Sequence, residues 1–368
     1  MTPAGVPTIG VEEEFFLIDP ESRLPLPVGE RVVERAADAV GELASGEFSQ
    51  CQLEMKTPPC SDAAQLRAEL VRLRTAADLA ARAEGVRVCA SGTVVLDDRS
   101  PLPVGSHPRY RAGLAQYRAM LDDFALCSLH VHVHLPDREI AVLVSNHLRP
   151  WLPLLVALSA NSPLRHGRDT GYASWRAVIR SRFPCLGPPP YAESRRHHEE
   201  VAGLIAESEA MLDADMPFWD VRLNPRLPTL EVRAMDVTAD VDDAVALAVI
   251  IRALVATAVT QTIAGDTGPR VGAEVLRAAY WRAARDGWSG SGVDAMTGRI
   301  LSVSAQCAQL LDHIAVAVGA AGDMSVIVAF MDRLCARGTG AEMQRASADR
   351  RGELTDVVDD LMALTTRR

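Results

Sequence analysis

Apolar and polar positions alternate with a period of two in several short stretches, and with a helical period over most of the rest of the chain. Residues 8–18, TIGVEEEFFLI, read as a strand. Its Glu12 and Glu14 share one face and Glu13 points to the other, because side chains alternate across a strand. FSQCQLEMKT at 48–57 sets Cys51, Leu53 and Met55 against Gln50, Gln52 and Glu54, a half-buried strand that ends at Pro58-Pro59. LCSLHVHVHL at 126–135 alternates again, with His130, His132 and His134 opposite Leu129, Val131, Val133 and Leu135. VRVCASG is a short strand, and PFWDVRL and PTLEVRAMD are two more, separated by Asn224-Pro225. Helical spacing covers GERVVERAADAVGEL and then 61–85, where Ser61 or Asp62 supplies the N-cap and Gly85 the stop. Further helices are expected near 109–123, from about 137 to 158 and from about 191 to 212.

From 240 onward the pattern is helical apart from GWSGSGVDAMTG. That loop reads as a connection, since nothing sets it between a strand and a helix N-terminus as a phosphate cradle requires. The longest apolar run, AVALAVIIRALVATAVT, contains Arg252 and falls short of a membrane span, so it reads as a buried core helix. No repeat or linker interrupts the pattern. The expectation is one α+β domain over residues 1–368, a largely antiparallel sheet flanked by helices, with a helical C-terminal part from about 240.

The chain's 368 residues, 48% of them hydrophobic and 23% charged, suit a globular protein. A net charge of −10 argues against nucleic acid as partner. Lys56 is the sole lysine, which excludes a P-loop and confines any Schiff-base chemistry to that position. Seven scattered cysteines without a Cys-x-x-Cys, and an N-terminus without a basic-then-apolar leader, predict a reduced, cytoplasmic protein with no membrane association. A homodimer is the default assembly expected on symmetry grounds.

Three strands carry polar stripes where a core or solvent face is expected. Glu12 and Glu14 on one strand repel each other unless a cation lies between them; the alternative is a solvated edge strand. His130 and His132 could begin a zinc site or form a surface stripe. Glu231 and Arg233 share a face and could be a plain ion pair. Taken together, the types favour Mg²⁺ or Mn²⁺ over zinc, because hard cations prefer oxygen ligands, and a nearby arginine suits a transferring phosphoryl group. Glu54 would add a further carboxylate if the strands share a sheet.

TIGVEEEFFLID, CSLHVHVHLPD, LRPWLPLLVALSANSPLRHGRDTGYASWR, WDVRLNPRLPTLEVRAMD and GTGAEMQR resemble the type 2 glutamate–cysteine ligase family, also called the carboxylate–amine ligase family, over nearly the whole chain. The Glu-x-Glu, His-x-His and Glu-x-Arg pieces also look like the catalytic strands of glutamine synthetase. The resemblance implies a glutamine synthetase-like fold, with ATP and divalent ions on one face of a curved antiparallel sheet. It further implies ATP-dependent amide formation from a small carboxylate and a small amine, releasing ADP and phosphate. By the same resemblance, Glu12, Glu14, Glu54, His130 and Glu231 are metal ligands. His132 lies near the ATP phosphates, Glu231 bridges metals, and Arg233 stabilises the phosphoryl group. Arg222 and Arg176 match family arginines for which phosphate and substrate-carboxylate binding both stay open.

The chain departs from the family pattern at Ser128, His134, Leu223-Asn224, Ala279, Asp286 and Lys56. The metal and phosphate set is intact and the departures lie around it, so ligase chemistry is expected, with glutamate and cysteine as the default substrates. Two rival readings are a zinc hydrolase built on His130, His132 and His134, and a non-catalytic nucleotide-binding homologue.

Overall fold

A computed structural model describes residues 5–98, 101–213 and 215–367. Its strands are β1 (Ile9–Ile18), β2 (Ala44–Gly46), β3 (Gln52–Lys56), β4 (Arg87–Cys89), β5 (Ser128–His134), β6 (Leu164–Arg165), β7 (Arg168–Asp169), β8 (Val221–Leu223), β9 (Thr229–Asp236), β10 (Ser291–Val293) and β11 (Ile300–Ser302). The main sheet runs β2-β3-β1-β5-β9-β8, with β4 pairing the C-terminal end of β1. Every pairing in it is antiparallel. The helices are α1 (Gly29–Val40), α2 (Ala63–Ala83), α3 (Pro108–Tyr117), α4 (Arg138–Leu148), α5 (Leu152–Ser159), α6 (Trp175–Arg180), α7 (Arg195–Glu207), α8 (Val241–Ile263), α9 (Ala273–Asp286), α10 (Val303–Ala321), α11 (Met324–Arg337), α12 (Gly340–Arg351) and α13 (Leu354–Thr365).

The strand alternation decides what each sheet face holds. Ile9, Val11, Leu129, Val131, Val133, Leu230 and Val232 form the apolar face, buried in one core with residues of α4, α5 and α8. α8 is the apolar run expected to be a core helix. Its Arg252 is buried, ion-paired with Asp323 and donating to the Ser61 carbonyl at 2.9 Å. Two stretches, Arg138–Ser159 and Val241–Ile263, are long and apolar enough to cross a membrane by composition, yet both lie mostly buried inside the molecule. α13 closes the far end: Thr365 Oγ1 accepts from the Ala90 N–H at 2.9 Å, and Val357, Val358, Leu361 and Met362 are buried.

Some elements differ from the sequence pattern. The helix expected over 137–158 is broken by a 3₁₀ turn at Arg149–Trp151, where Pro150 and Pro153 cannot donate to the helical ladder. The helix near 109–123 stops at Tyr117, after which Arg118 takes φ 52°. The helix expected over 191–212 is confined to Arg195–Glu207 behind the Ser194 cap. The loop at 287–298 contains β10, whose hairpin with β11 is too short to show a periodicity. The strand β3 is buried on both faces, not one: Gln52 and Glu54 are 1% and 8% exposed. α3, the turn after it and the segments around Phe183, Leu212 and Phe218 form a small apolar cap over the polar face.

Candidate active site

Strand register brings the polar stripes together. Glu12 stands between Lys56 on β3 and His130 on β5, and Glu14 is opposite Glu54. His132 is opposite Glu231, which in turn is opposite Arg222 on β8. Glu12, Glu14, Glu54, His130, His132, Glu231, Arg222 and Arg233 therefore occupy neighbouring positions across five strands. Among the described residues, three sets can bring one ligand atom each within 4.8 Å of one another: Glu12–His132–Glu231, Glu12–Glu54–His130 and Glu14–Glu47–Glu54.

The middle glutamate of the triplet goes elsewhere. Glu13 faces the opposite side and accepts from Arg74 Nε at 2.9 Å and Nη2 at 2.5 Å, in a fully buried fork. Arg74 also donates to the carbonyls of Thr238 and Ala239, so it ties β1 to the start of α8.

On the active face, His130 Nδ1 lies 3.1 Å from Glu12 Oε2, and His132 Nδ1 lies 3.1 Å from Thr229 Oγ1. The Nε2 atoms of both imidazoles are buried without a hydrogen-bond partner. Buried lone pairs aimed among carboxylates suit a cation, so the donor set fits a divalent metal. Burial pulls His130 down to about 3, which keeps it neutral and able to act as a ligand. Burial also acts against the charge on His132, but Glu12 and Glu231 outweigh it and shift its pKa upward. Burial works against the charge on Glu12, but the neighbouring His130 and His132 outweigh it and hold its carboxyl well below the carboxylate range.

Glu231 is entirely buried and surrounded by guanidinium. Arg222 donates to it from Nε at 3.1 Å and Nη2 at 2.8 Å, Arg233 from Nη1, and Asn224 from its amide at 3.2 Å. Its carboxyl lies far below the ordinary range because Arg233 and Arg222 overcome desolvation. Arg233 Nε is buried and unpartnered, a donor aimed into the site.

The third carboxylate set behaves oppositely. Burial and the neighbouring Glu54 push Glu14 up to about 7. Burial, then Glu14 and Glu54, push Glu47 well above its ordinary value. Lys56 Nζ at 2.7 Å and Ser45 Oγ at 2.7 Å contact Glu54, but burial still raises it. Glu47 escaped the sequence reading because it precedes the alternating stretch and only the fold carries it to Glu14.

Arg176 differs from the phosphate- or substrate-binding expectation. It is fully buried, with Nη2 on Ser128 Oγ at 2.6 Å and on the Arg233 carbonyl at 3.2 Å, and Nη1 on the Ala234 carbonyl at 3.2 Å. Its donors are spent on β5 and β9, so it supports the site from behind. Beside it, Asp236 accepts from the Asn161 N–H, Ser162 Oγ and Ser174 Oγ, and Gly92 leaves room for it: a Cβ there would sit 2.9 Å from the carboxyl. Ser128, one of the unusual positions, donates its N–H to Glu14 at 2.7 Å. His134 is exposed at the end of β5 and belongs to none of the three possible metal sets.

Comparison with known proteins gives the family and the fold. A family model described as glutamate–cysteine ligase family 2 matches residues 8–360. A Salinispora arenicola (strain CNS-205) protein named "Putative glutamate--cysteine ligase 2" is 42% identical over 359 residues, covering 97% of this chain and 95% of its own. A Frankia alni protein named "Putative glutamate--cysteine ligase 2-2" is 40% identical over 380 residues, covering 100% and 99%. Among solved structures, glutamate–cysteine ligase from Francisella tularensis, in complex with AMP, superposes with a TM-score of 0.72 at 12% identity, over 98% of this chain and 89% of its own. A bifunctional glutathione synthetase from Pasteurella multocida gives 0.68 at 12% identity; the chain covers 52% of that protein, about half its length. At such identities the structures speak for the fold, and they agree with the glutamine synthetase-like α+β class. The relatives, matched from end to end, show that the chain belongs to the glutamate–cysteine ligase family 2.

Proposed function

We propose that this protein is an ATP-dependent carboxylate–amine ligase that forms an amide through an acyl phosphate, releasing ADP and phosphate. The observation that carries this reading is the convergence of Glu12, Glu14, Glu54, His130, His132, Glu231 and Arg233 on one buried face of a rigid sheet. Glutamate and cysteine, named for the relatives, are the default substrate pair.

A carboxylate is a poor electrophile, and attack on the γ-phosphate of ATP converts it to an acyl phosphate with a good leaving group. Glu12, Glu14, Glu54, His130 and Glu231 would hold Mg²⁺ or Mn²⁺, which neutralises the triphosphate when bound. Glu47 joins that set on geometric grounds. The oxygen-rich composition supports a hard cation. His132 is assigned to the phosphates, Arg233 to the phosphoryl in transit, and Arg222 to orienting Glu231. The incoming amine must be neutral to attack, and a site carboxylate takes its proton. The apolar cap over the face excludes water that would hydrolyse the acyl phosphate.

Steady-state ADP release tests the reading: turnover should require an acid, an amine and a divalent cation together. ADP release that ignores the amine would overturn it. His134→Ala should leave turnover nearly unchanged, since His134 is exposed and outside the metal sets; loss of bound zinc and of all activity in that variant would favour the hydrolase reading.

A further inference from the structure

We propose that one of the two substrates presents an apolar, ring-sized group to a pocket beside Glu14 and Arg233. The inference rests on the ligase reading for the word substrate and on geometry for the rest. A cavity of about 130 Å³ opens from the active face, with Glu14, Glu47, Ser128 and Arg233 at its floor. Its walls are apolar and largely aromatic: Phe48, Tyr117, Leu121, Phe124, Phe183 and Phe218. The rings already meet edge to face, with Phe48–Phe124 centroids at 5.6 Å and Phe124–Phe183 at 4.9 Å. A further ring could join that arrangement. An apolar cavity of roughly 150 Å³ accommodates benzene, so the volume suits one ring or a branched aliphatic group.

The charges in the pocket argue against glutamate as the occupant. Each arginine that lines it is already engaged. Arg109 donates to Asp213 at 2.6 Å, Arg180 to Asp220 at 2.6 Å, and Arg233 to Glu231. The second carboxylate of glutamate would lose water without gaining a full counter-charge, a cost that an apolar group avoids. Besides Arg233 Nε, which is assigned to the phosphoryl group, Arg109 Nη2 is a buried donor with no partner. It can donate a single hydrogen bond to a hydroxyl or carbonyl oxygen on the far edge of the ring. The two probes of the test decide whether the ring belongs to the acid or to the amine.

The test uses 3-phenylpropionate as the acid probe and 2-phenylethylamine as the amine probe. Binding is measured by calorimetry on the full chain, and ADP release is measured with ammonium or acetate as the small partner. Gly113 on α3 lines the same cavity, and a Cβ there meets Leu121 and Leu212 at ordinary distances of 3.5 and 3.9 Å. Gly113→Leu should therefore fill the pocket without straining the backbone. The expected result is saturable binding and turnover of one probe, with binding at least ten-fold weaker in Gly113→Leu and Mg·ATP affinity retained. If that variant loses Mg·ATP binding through misfolding, Leu121→Phe replaces it. Binding that survives filling of the pocket would overturn the inference, as would failure of both probes while glutamate and cysteine drive ADP release; the ligase reading then stands. Pocket-dependent binding with no ADP release from any acid–amine pair would support the apolar occupant and overturn the ligase reading. Failure of binding and of turnover alike would overturn both.

Discussion

Arg233 and Glu14 show how neighbouring side chains on one sheet face take opposite electrostatic roles. Arg233 is clamped to Glu231 yet keeps Nε buried and unpartnered, a donor already aimed before any phosphoryl arrives. A guanidinium holds two phosphoryl oxygens where an ammonium offers a point charge. Arg233→Lys is therefore expected to lower kcat by roughly 10²-fold or more, the scale of one lost preorganised donor. ATP affinity, measured separately, should change much less; the reverse pattern would make Arg233 a nucleotide-docking residue. Glu14 is crowded by Glu54 in a buried setting, and its carboxyl is raised from 4.5 to about 7. Between those values the folded protein holds a proton that the unfolded chain has released. The contribution of Glu14 to stability is thus fully present below about pH 4.5 and lost as pH rises through about 7. In metal-free buffer, Glu14→Gln should gain on the wild type across that interval, by no more than about 3 kcal/mol. Saturating Mg²⁺ should remove the gain. Chemical denaturation at a series of pH values reads both effects.

At the scale of the element, β1 solves the problem of three consecutive glutamates by alternation. Glu12 and Glu14 face the site, while Glu13 is buried beneath the sheet in a fork with Arg74 of α2. Removing one partner of such a pair leaves an uncompensated buried charge, which costs about 3–5 kcal/mol. Glu13→Gln should lower the melting temperature accordingly while Mg·ATP affinity in the folded fraction stays near that of the wild type. Glu12→Gln should do the reverse, because its carboxylate contacts His130 and His132 and no core group. Equal effects of the two substitutions on nucleotide binding would refute the alternation argument. The β5–β9 pairing carries an irregularity between Leu129 and Val131, yet His132 and Glu231 remain opposite one another.

At the scale of the whole molecule, the C-terminal helix completes a core that begins at Phe15 on β1. α13 buries Val357, Val358, Leu361 and Met362 against the region of β4, and the Thr365 carbonyl accepts from Arg74 at 3.3 Å. Each such apolar side chain contributes roughly 1.5–3 kcal/mol on burial, so together they are comparable with the total stability of a typical domain. Deletion of residues 353–368 is expected to abolish cooperative unfolding and yield aggregating protein; a truncated chain with a melting temperature near that of the full one would refute this. The cap of α3 and its neighbours works at the same scale. It converts what strand periodicity presents as a half-buried sheet into one buried on both faces, and so gives the carboxylates and imidazoles their shifted proton affinities.

Period-two alternation alone placed Glu12, Glu14, Glu54, His130, His132, Glu231 and Arg233 on strand faces, because side-chain direction in a strand is a local property. The apolar run around Arg252 likewise identified a core helix, since an all-round apolar surface has nowhere else to go. Which strands are neighbours, and hence that Glu12 meets His130 and His132 meets Glu231, is set by pairing between distant segments and left no trace in local spacing. Glu47 reached the site only through folding, and the pattern that matched Arg176 to a ligand-binding role could not reveal that Ser128 and the β9 carbonyls use up its donors. The aromatic pocket is likewise a tertiary product. Its walls come from α3, from the turn after it, from Phe48 far upstream and from Phe183 and Phe218 far downstream, joined by packing that sequence periodicity does not encode.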